Sequence, residues 1–126
     1  MPRYLLDSDV IIEWLRRDHG VVAWVEAHDA AGDYLAWTPV SVAEIRAGLR
    51  PHEEFVINDL LSILHCVDIT ERVGRKGGRY RQTFGPSHGV EIADALIAAA
   101  AHVYGLTLCS RNLRHYPMRD VKKHRL

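Results

Sequence analysis

Two rhythms of apolar residues alternate along the chain: short continuous runs flanked by turn residues, and longer stretches with apolar positions three and four apart. Arg3-Tyr4-Leu5-Leu6-Asp7 reads as a short buried strand that ends on a carboxylate. A helix follows from Val10 to Arg17, with Ile11, Ile12, Trp14 and Leu15 on its apolar side. Gly20 breaks it, and Val21 to Ala31 forms a second helix closed by Gly32. Tyr34-Leu35-Ala36-Trp37-Thr38 is another strand, and Pro39-Val40-Ser41 leads into a helix from Val42 to Leu49, stopped by Gly48 and Pro51. Periodicity predicts a helix over Glu53 to Leu64, with Phe55, Val56, Leu60, Leu61 and Leu64 inward. Cys66-Val67-Asp68-Ile69 reads as a third strand. Thr70 caps a basic helix of about a dozen residues, and Phe84-Gly85-Pro86-Ser87-His88-Gly89 reads as a loop. Glu91 to Tyr104, ended by Gly105, has the most regular helical pattern. Leu106-Thr107-Leu108-Cys109-Ser110 is a fourth strand and Arg119-Asp120-Val121 a short last one.

Strands alternate with helices throughout, which predicts an α/β fold: a mostly parallel sheet of four to five strands with helices on both faces. No internal repeat or linker interrupts the pattern, so residues 1–126 are expected to form a single domain. Binding sites in such sheets lie beyond the carboxyl ends of the strands, where Asp7 and Ser110 fall.

Composition narrows the class. With 48% apolar and 25% charged residues the chain suits an ordinary globular core rather than disorder. No apolar run is long enough for a membrane span, and Asp7 comes too early for a signal peptide. Cys66 and Cys109 lie far apart without a CxxC partner, which points away from a disulfide framework or structural zinc and towards a reducing cytoplasm.

A net charge of zero conceals a division. Residues 1–71 hold 13 acids and 5 bases, whereas residues 72–126 hold 3 acids and 11 bases. The bases cluster at Arg72, Arg75, Lys76, Arg79 and Arg81, and again at Arg111, Arg114, Arg119, Lys122, Lys123 and Arg125. Such segregation suits either two solvated faces or a phosphate-binding rim beside an acidic site.

Three acids stand where solubility does not require them. Asp7 closes an apolar strand and either caps the next helix or belongs to a site; Asp9 adds a second charge two residues on. Glu44 lies in Ser41-Val42-Ala43-Glu44, which matches a capping box but also places the carboxylate on the first turn of a helix. Asp94 sits in Ile92-Ala93-Asp94-Ala95-Leu96-Ile97, surrounded by apolar residues. An ionised carboxylate there needs a cation, hydrogen-bond donors or water, because unpaired burial costs several kcal/mol, about as much as a domain's stability can spare. Carboxylates on three separate elements, with Asn112 on a fourth, are hard oxygen donors suited to magnesium or manganese. Phosphodiester cleavage is the chemistry that needs such an ion. None of the eight histidines forms an HxxxH or HExxH pair, and no GxSxG or phosphate-cradling glycine loop is present.

Taken together, Leu5-Leu6-Asp7-Ser8-Asp9-Val10, Ser41-Val42-Ala43-Glu44-Ile45-Arg46-Ala47-Gly48, Asp94-Ala95-Leu96-Ile97-Ala98-Ala99 and Gly105-Leu106-Thr107-Leu108-Cys109-Ser110-Arg111-Asn112 resemble, in this order, the PIN-domain ribonucleases, specifically the VapC toxins of bacterial toxin–antitoxin systems. The resemblance covers nearly the whole chain. It implies an α/β/α sandwich and RNA hydrolysis with Mg²⁺ or Mn²⁺, with Asp7, Glu44 and Asp94 as metal ligands. Asn112 stands where many relatives have a fourth acid and would orient Asp7 or a water; His115 stands where some carry another acid. Ser110 and Asp9 would support the ligands, and tRNA or a ribosomal RNA loop is the expected substrate; from the charge clusters, Arg111 and Arg114 next to the site, with Arg72, Arg75, Lys76 and Arg79, are the expected phosphate contacts. The resemblance further implies a homodimer and a VapB-like antitoxin seated in an apolar groove near the first helices, where Trp14 and Trp24 are the expected anchors.

Two other readings fit parts of the sequence. Asp7-Ser8-Asp9 also resembles the first motif of haloacid-dehalogenase-like phosphatases, although the required lysine and later acidic pair have no counterpart here. A catalytically silent RNA- or protein-binding domain is the other, against which the retention of Asp94 in an apolar helix speaks.

Overall fold

The computed structural model describes the chain from Met1 to Leu126 except for the side chain of Leu60, so the inward placement expected of Leu60 lies outside the described residues. Five strands, β1 (Arg3–Leu6), β2 (Tyr34–Trp37), β3 (His65–Cys66), β4 (Thr107–Ser110) and β5 (Lys123–Arg125), form one sheet in the order β3-β2-β1-β4-β5, and every neighbouring pair is parallel. Six helices connect and cover it: α1 (Ser8–Leu15), α2 (His19–Ala30), α3 (Pro39–Ala47), α4 (Glu54–Leu61), α5 (Glu71–His88) and α6 (Ile92–Tyr104).

The twofold alternation of strand side chains builds both faces from the same few residues. Leu5, Ala36 and Leu108 point into a core shared with α5 and α6. Leu6, Leu35, Trp37 and Cys109 point the other way, into a core shared with α1, α2 and α3. The chain moves outward from β1 to β2 and β3, then returns to the opposite side of β1 with β4. This reversal opens a crevice beyond the ends of β1 and β4, the usual place for a site in a parallel sheet.

Several boundaries differ from the sequence reading, each for a physical reason. Helix α5 runs on to His88 through the segment expected to be a loop, because Pro86 falls in its last turn, where the missing N–H leaves only one carbonyl unpaired. Phe84 packs against the core there, and Gly89, at φ 64°, ends the helix in the left-handed region that glycine tolerates. Strand β5 is Lys123–Arg125 rather than Arg119–Val121; Val121 is drawn into the core instead. Its three residues are polar and exposed, held by backbone pairing, by Lys123 Nζ donating to the Tyr116 and Met118 carbonyls and by His124 stacked on Trp24, so no apolar pattern announces the strand. Strand β3 is reduced to His65–Cys66. Helix α4 turns Ile57 inward, and Phe55, expected inward, is 82% exposed. Trp14 is only 7% exposed and belongs to the α1-side core, while Trp24 is half-buried.

Helix α6 is apolar nearly all round because it is sandwiched between the sheet and α5. Gly77 permits the close approach: a Cβ there would lie 2.8 Å from Leu96 Cδ2 and 3.5 Å from the Ala95 carbonyl oxygen. Gly77→Val should therefore destabilise the fold by about 1–3 kcal/mol. Gly78, where a Cβ meets nothing within 4 Å, offers the opposite case: Gly78→Ala should stabilise by about 0.4–1 kcal/mol. Urea unfolding of the two variants checks both signs.

Candidate active site

Asp7 follows the last residue of β1 and caps α1, accepting a hydrogen bond from the Ser8 N–H at 2.8 Å. The cap employs one carboxylate oxygen only. The other, Oδ2, accepts from Ser110 Oγ at 2.9 Å and from the Tyr116 hydroxyl at 2.8 Å. Ser110 is the last residue of β4, so this bond closes the crevice where the chain reverses direction across the sheet.

The same hydroxyls tie in the neighbouring acids. Tyr116 also reaches Asp94 Oδ1 at 3.4 Å, and Ser110 Oγ lies 3.3 Å from Asp9 Oδ2, which accepts from the Arg111 N–H at 3.1 Å. On the other side, Ser8 Oγ is 2.8 Å from both Ser41 Oγ and Glu44 Oε1. Glu44 is not part of a capping box. Helix α3 starts earlier than the sequence suggests, with Pro39 in its first turn and Thr38 as its cap. Ser41 and Glu44 are thereby freed to face Ser8.

Burial and crowding set the electrostatics. Asp7, 8% exposed, has its carboxyl pushed up to about 6 by burial and by the Asp9 charge, against the hydrogen bonds from Tyr116, Ser110 and Ser8. Asp94 is raised by burial and by Asp7, with His115 opposing at 3.7 Å. Asp9 is raised by burial although Arg111 and Ser110 donate to it. Asp9 Oδ1 is buried with no hydrogen-bond partner in the protein, an oxygen that a cation would satisfy. Among the described residues no three His, Cys, Asp or Glu side chains close into a metal-holding group. An all-oxygen donor set of this openness fits an ion that takes one or two carboxylates directly and keeps several waters.

The sequence model of the PIN domain matches residues 4–121. The chain belongs to the PIN-domain family. Among its relatives, Ribonuclease VapC10 of Mycobacterium tuberculosis is 37% identical over 123 residues, covering 94% of this chain and 90% of the relative. Ribonuclease VapC19 of the same organism is 30% identical over 115 residues, covering 90% and 92%. Of solved structures, FitAcB from Neisseria gonorrhoeae superposes with a TM-score of 0.73 at 29% identity over 95% of each chain. VapBC2 from Rickettsia felis, bound to a DNA fragment from their promoter, reaches 0.85 over 98% of each chain at 17% identity, a likeness of fold.

Within this PIN domain the residues singled out from sequence divide into groups. Asp7, Asp9 and Asp94 are joined through the Ser110 and Tyr116 hydroxyls, and Glu44 is linked to Asp7 through Ser8, whose Oγ donates to Glu44 and whose N–H donates to Asp7. Asn112 is present by its backbone N–H, which donates to Ser110 Oγ at 3.0 Å; its side chain faces His115 and accepts from Arg114 Nε at 3.0 Å rather than touching Asp7. Arg111 flanks the acids and pairs with Asp18 at 3.5 Å. Arg72, Arg75 and Lys76 lie elsewhere: Arg72, Arg75 and His102 line one cavity, and His102 is eight residues along α6 from Asp94, about 12 Å of helix. Ser8, Ser41 and Tyr116 are the site residues that sequence reasoning missed. The serines read as ordinary helix-start residues, and the only hint of Tyr116 was an aromatic residue inside the second basic cluster.

The raised Asp7 carboxyl has a consequence for stability. Its folded value of about 6 lies above its ordinary 3.8, so between these values the folded protein holds a proton that the unfolded chain has lost. In chelator, stability should fall by roughly 3 kcal/mol as pH rises from about 3 to about 7, about 2 kcal/mol of it between about pH 4 and 6, with Asp9 and Asp94 adding in the same direction. Thermal unfolding across this range is the measurement. A melting temperature that instead climbs steadily would contradict the burial of an unbalanced carboxylate.

Proposed function

We propose that this PIN domain is a metal-dependent endoribonuclease and the toxin of a toxin–antitoxin pair. The observation that carries the reading is the buried Asp7, tied through Tyr116 to Asp94 and through Ser8 to Glu44 at the crevice of the sheet. The names of its relatives, Ribonuclease VapC10 and VapC19, support RNA as the substrate. The resemblance to VapC toxins extends this to tRNA or ribosomal RNA.

Asp7, Asp94 and Glu44 would hold Mg²⁺ or Mn²⁺, with Asp9 beside them. When bound, such an ion supplies a water of lowered pKa and neutralises charge on the phosphoryl group. The protein's own part is orientation. Ser110 and Tyr116 fix Asp7 through two hydrogen bonds to a single oxygen, which leaves the direction of the other lone pairs set before substrate arrives. Ser8 does the same for Glu44. Arg111, whose backbone N–H donates to Asp9, and Arg114, held by Asn112, would supply cations for the phosphates flanking the scissile bond. Asn112 positions Arg114 by accepting from its Nε.

The partner reading also has a physical basis. Ile12, Leu15, Ile45 and Leu49 line a cavity of about 150 Å³ between α1 and α3 that opens beside Glu44, with Arg16 and Arg50 on its wall. An antitoxin segment with an apolar anchor would seat there and reach the acids. Neither expected tryptophan lines this cavity: Trp24, half-buried, packs against Tyr4, His28 and His124, and Trp14 lies in the core beneath. Such a toxin would act in the cytoplasm as a homodimer; no helix is long and apolar enough to cross a membrane.

RNA cleavage should be abolished by EDTA and restored by Mg²⁺ or Mn²⁺, and Asp94→Asn should abolish it while leaving metal-free thermal stability equal or higher, because like-charge repulsion is relieved. Cleavage that survives rigorous chelation would overturn the proposal. For the partner, Ile12→Glu should weaken capture of the protein encoded beside this one by about tenfold or more, equivalent to about 1.4 kcal/mol, with RNA cleavage by the free chain retained.

A further inference from the structure

The basic cluster of α5 is not beside the acids, and its geometry is that of a track. The link Gly89–Glu91 folds α6 back along α5, so Arg72 and Arg75 share a cavity of about 310 Å³ with His102 and Val103 at the far end of the pair. Arg72, Lys76, Arg79 and Thr83 recur at helical spacing on one side of α5, a stripe about 16 Å long. Beyond Arg79 the surface opens into a cavity of about 410 Å³ walled by Arg79, Thr83, Phe84, Pro117 and Arg119, with Lys76, Tyr80 and the Asp120 carboxylate also lining it. Pro117 directly follows Tyr116, the residue whose hydroxyl holds Asp7, so this end of the track is the one joined by the chain to the acid cluster.

Its charges are neutralised selectively. Lys76 is bound to Asp120 at 2.7 Å, and the Tyr80 hydroxyl donates to the same carboxylate at 2.6 Å; Arg75 pairs with Glu71 at 3.5 Å. Arg72, Arg79 and Arg119, by contrast, have no carboxylate partner among the described residues and are exposed. Asp120 thus fixes Lys76 and Tyr80 as a rigid floor, with three unpaired guanidinium groups around it. Phe84 is half-buried, with its ring 6.4 Å from Tyr80 and 5.8 Å, edge-on, from His88. Free guanidinium groups beside a partly exposed aromatic ring suit single-stranded nucleic acid: phosphate contacts along the backbone and a platform for a base.

We infer that this track is a second RNA contact, in which Arg72, Arg79 and Arg119 bind phosphates and the Phe84–Pro117 cavity takes one unstacked base upstream or downstream of the scissile bond. This deepens the proposed function, and rests on it, by assigning the substrate class: an RNA with a single-stranded stretch long enough to run from the acids along α5. Affinity for such an RNA comes from the track, and the position of the cut from the crevice.

The test is fluorescence anisotropy of a labelled twenty-nucleotide oligo(U), measured in EDTA with the full chain at several salt concentrations. The combined change Arg72→Gln, Arg79→Gln and Arg119→Gln should weaken binding about tenfold or more and reduce the slope of log affinity against log salt by about 2, near 0.7 for each phosphate that is no longer neutralised. Phe84→Leu, which keeps an apolar side chain against the core, should weaken binding at an unchanged salt slope, and Phe84→Tyr should restore it. An unchanged slope in the triple variant, or Phe84→Leu binding as the parent does, would overturn the inference. Because binding is read without metal, loss of the track leaves the nuclease reading standing, and a failed cleavage assay leaves the track measurable.

Discussion

The structure is organised around one unfavourable placement: the Asp7 carboxylate, nearly removed from water at the end of a buried strand. Unpaired burial of such a charge costs several kcal/mol, of the same order as the whole stability of a small domain. The fold offsets it with the adjacent Ser8 N–H at the helix start and with two groups from distant points of the chain, Ser110 from β4 and Tyr116 beyond it. These donors do not restore the ordinary pKa, because the Asp9 charge and burial outweigh them. What remains is a site with an excess of negative charge and an unpartnered Asp9 oxygen, which a divalent cation would balance.

This arrangement depends on a parallel sheet in which the chain reverses between β3 and β4. Only then do the carboxyl ends of β1 and β4 lie side by side, with the start of α6 beside them to bring Asp94. The close packing of α6 against both the sheet and α5, through alanines and Gly77, fixes that start while leaving its polar end open. The division of charge along the chain has a corresponding spatial form. The acids at the ends of β1 and on α3 gather with Asp94 at one end of the sheet. The bases of α5 extend away from it, and among the described residues only Lys76 and Arg75 of these are paired to acids.

Much of this was legible in the sequence because it depends on patterns that cannot mean many things. Leu5 and Leu6 followed by Asp7, and Asp94 within an alanine-rich helix, are local conflicts between apolar context and charge, and such conflicts mark sites. The alternation of strands and helices likewise indicated the parallel sheet. Other features were hidden because they depend on contacts between residues far apart in sequence. Ser41 and Glu44 match a capping box in text, yet Thr38 takes the cap and leaves them to Ser8. Tyr116 has no motif at all; it matters because the turn after β4 carries its hydroxyl between two acids. Strand β5 is polar throughout and is defined by its neighbour's backbone. Helix α5 passes through Pro86 because packing of Phe84 and the Gly89 terminator outweigh one missing hydrogen bond.

Burial and the Asp9 charge hold the Asp7 carboxyl above its ordinary range, and a bound cation would bring it down. The direct measurement is an NMR titration of the side-chain carboxyl carbon of Asp7, followed with and without Mg²⁺. The expected midpoint is near pH 6 in chelator, falling below the ordinary carboxylate range when the ion is present. A midpoint at 3.8 in chelator, or one that Mg²⁺ leaves unmoved, would contradict it.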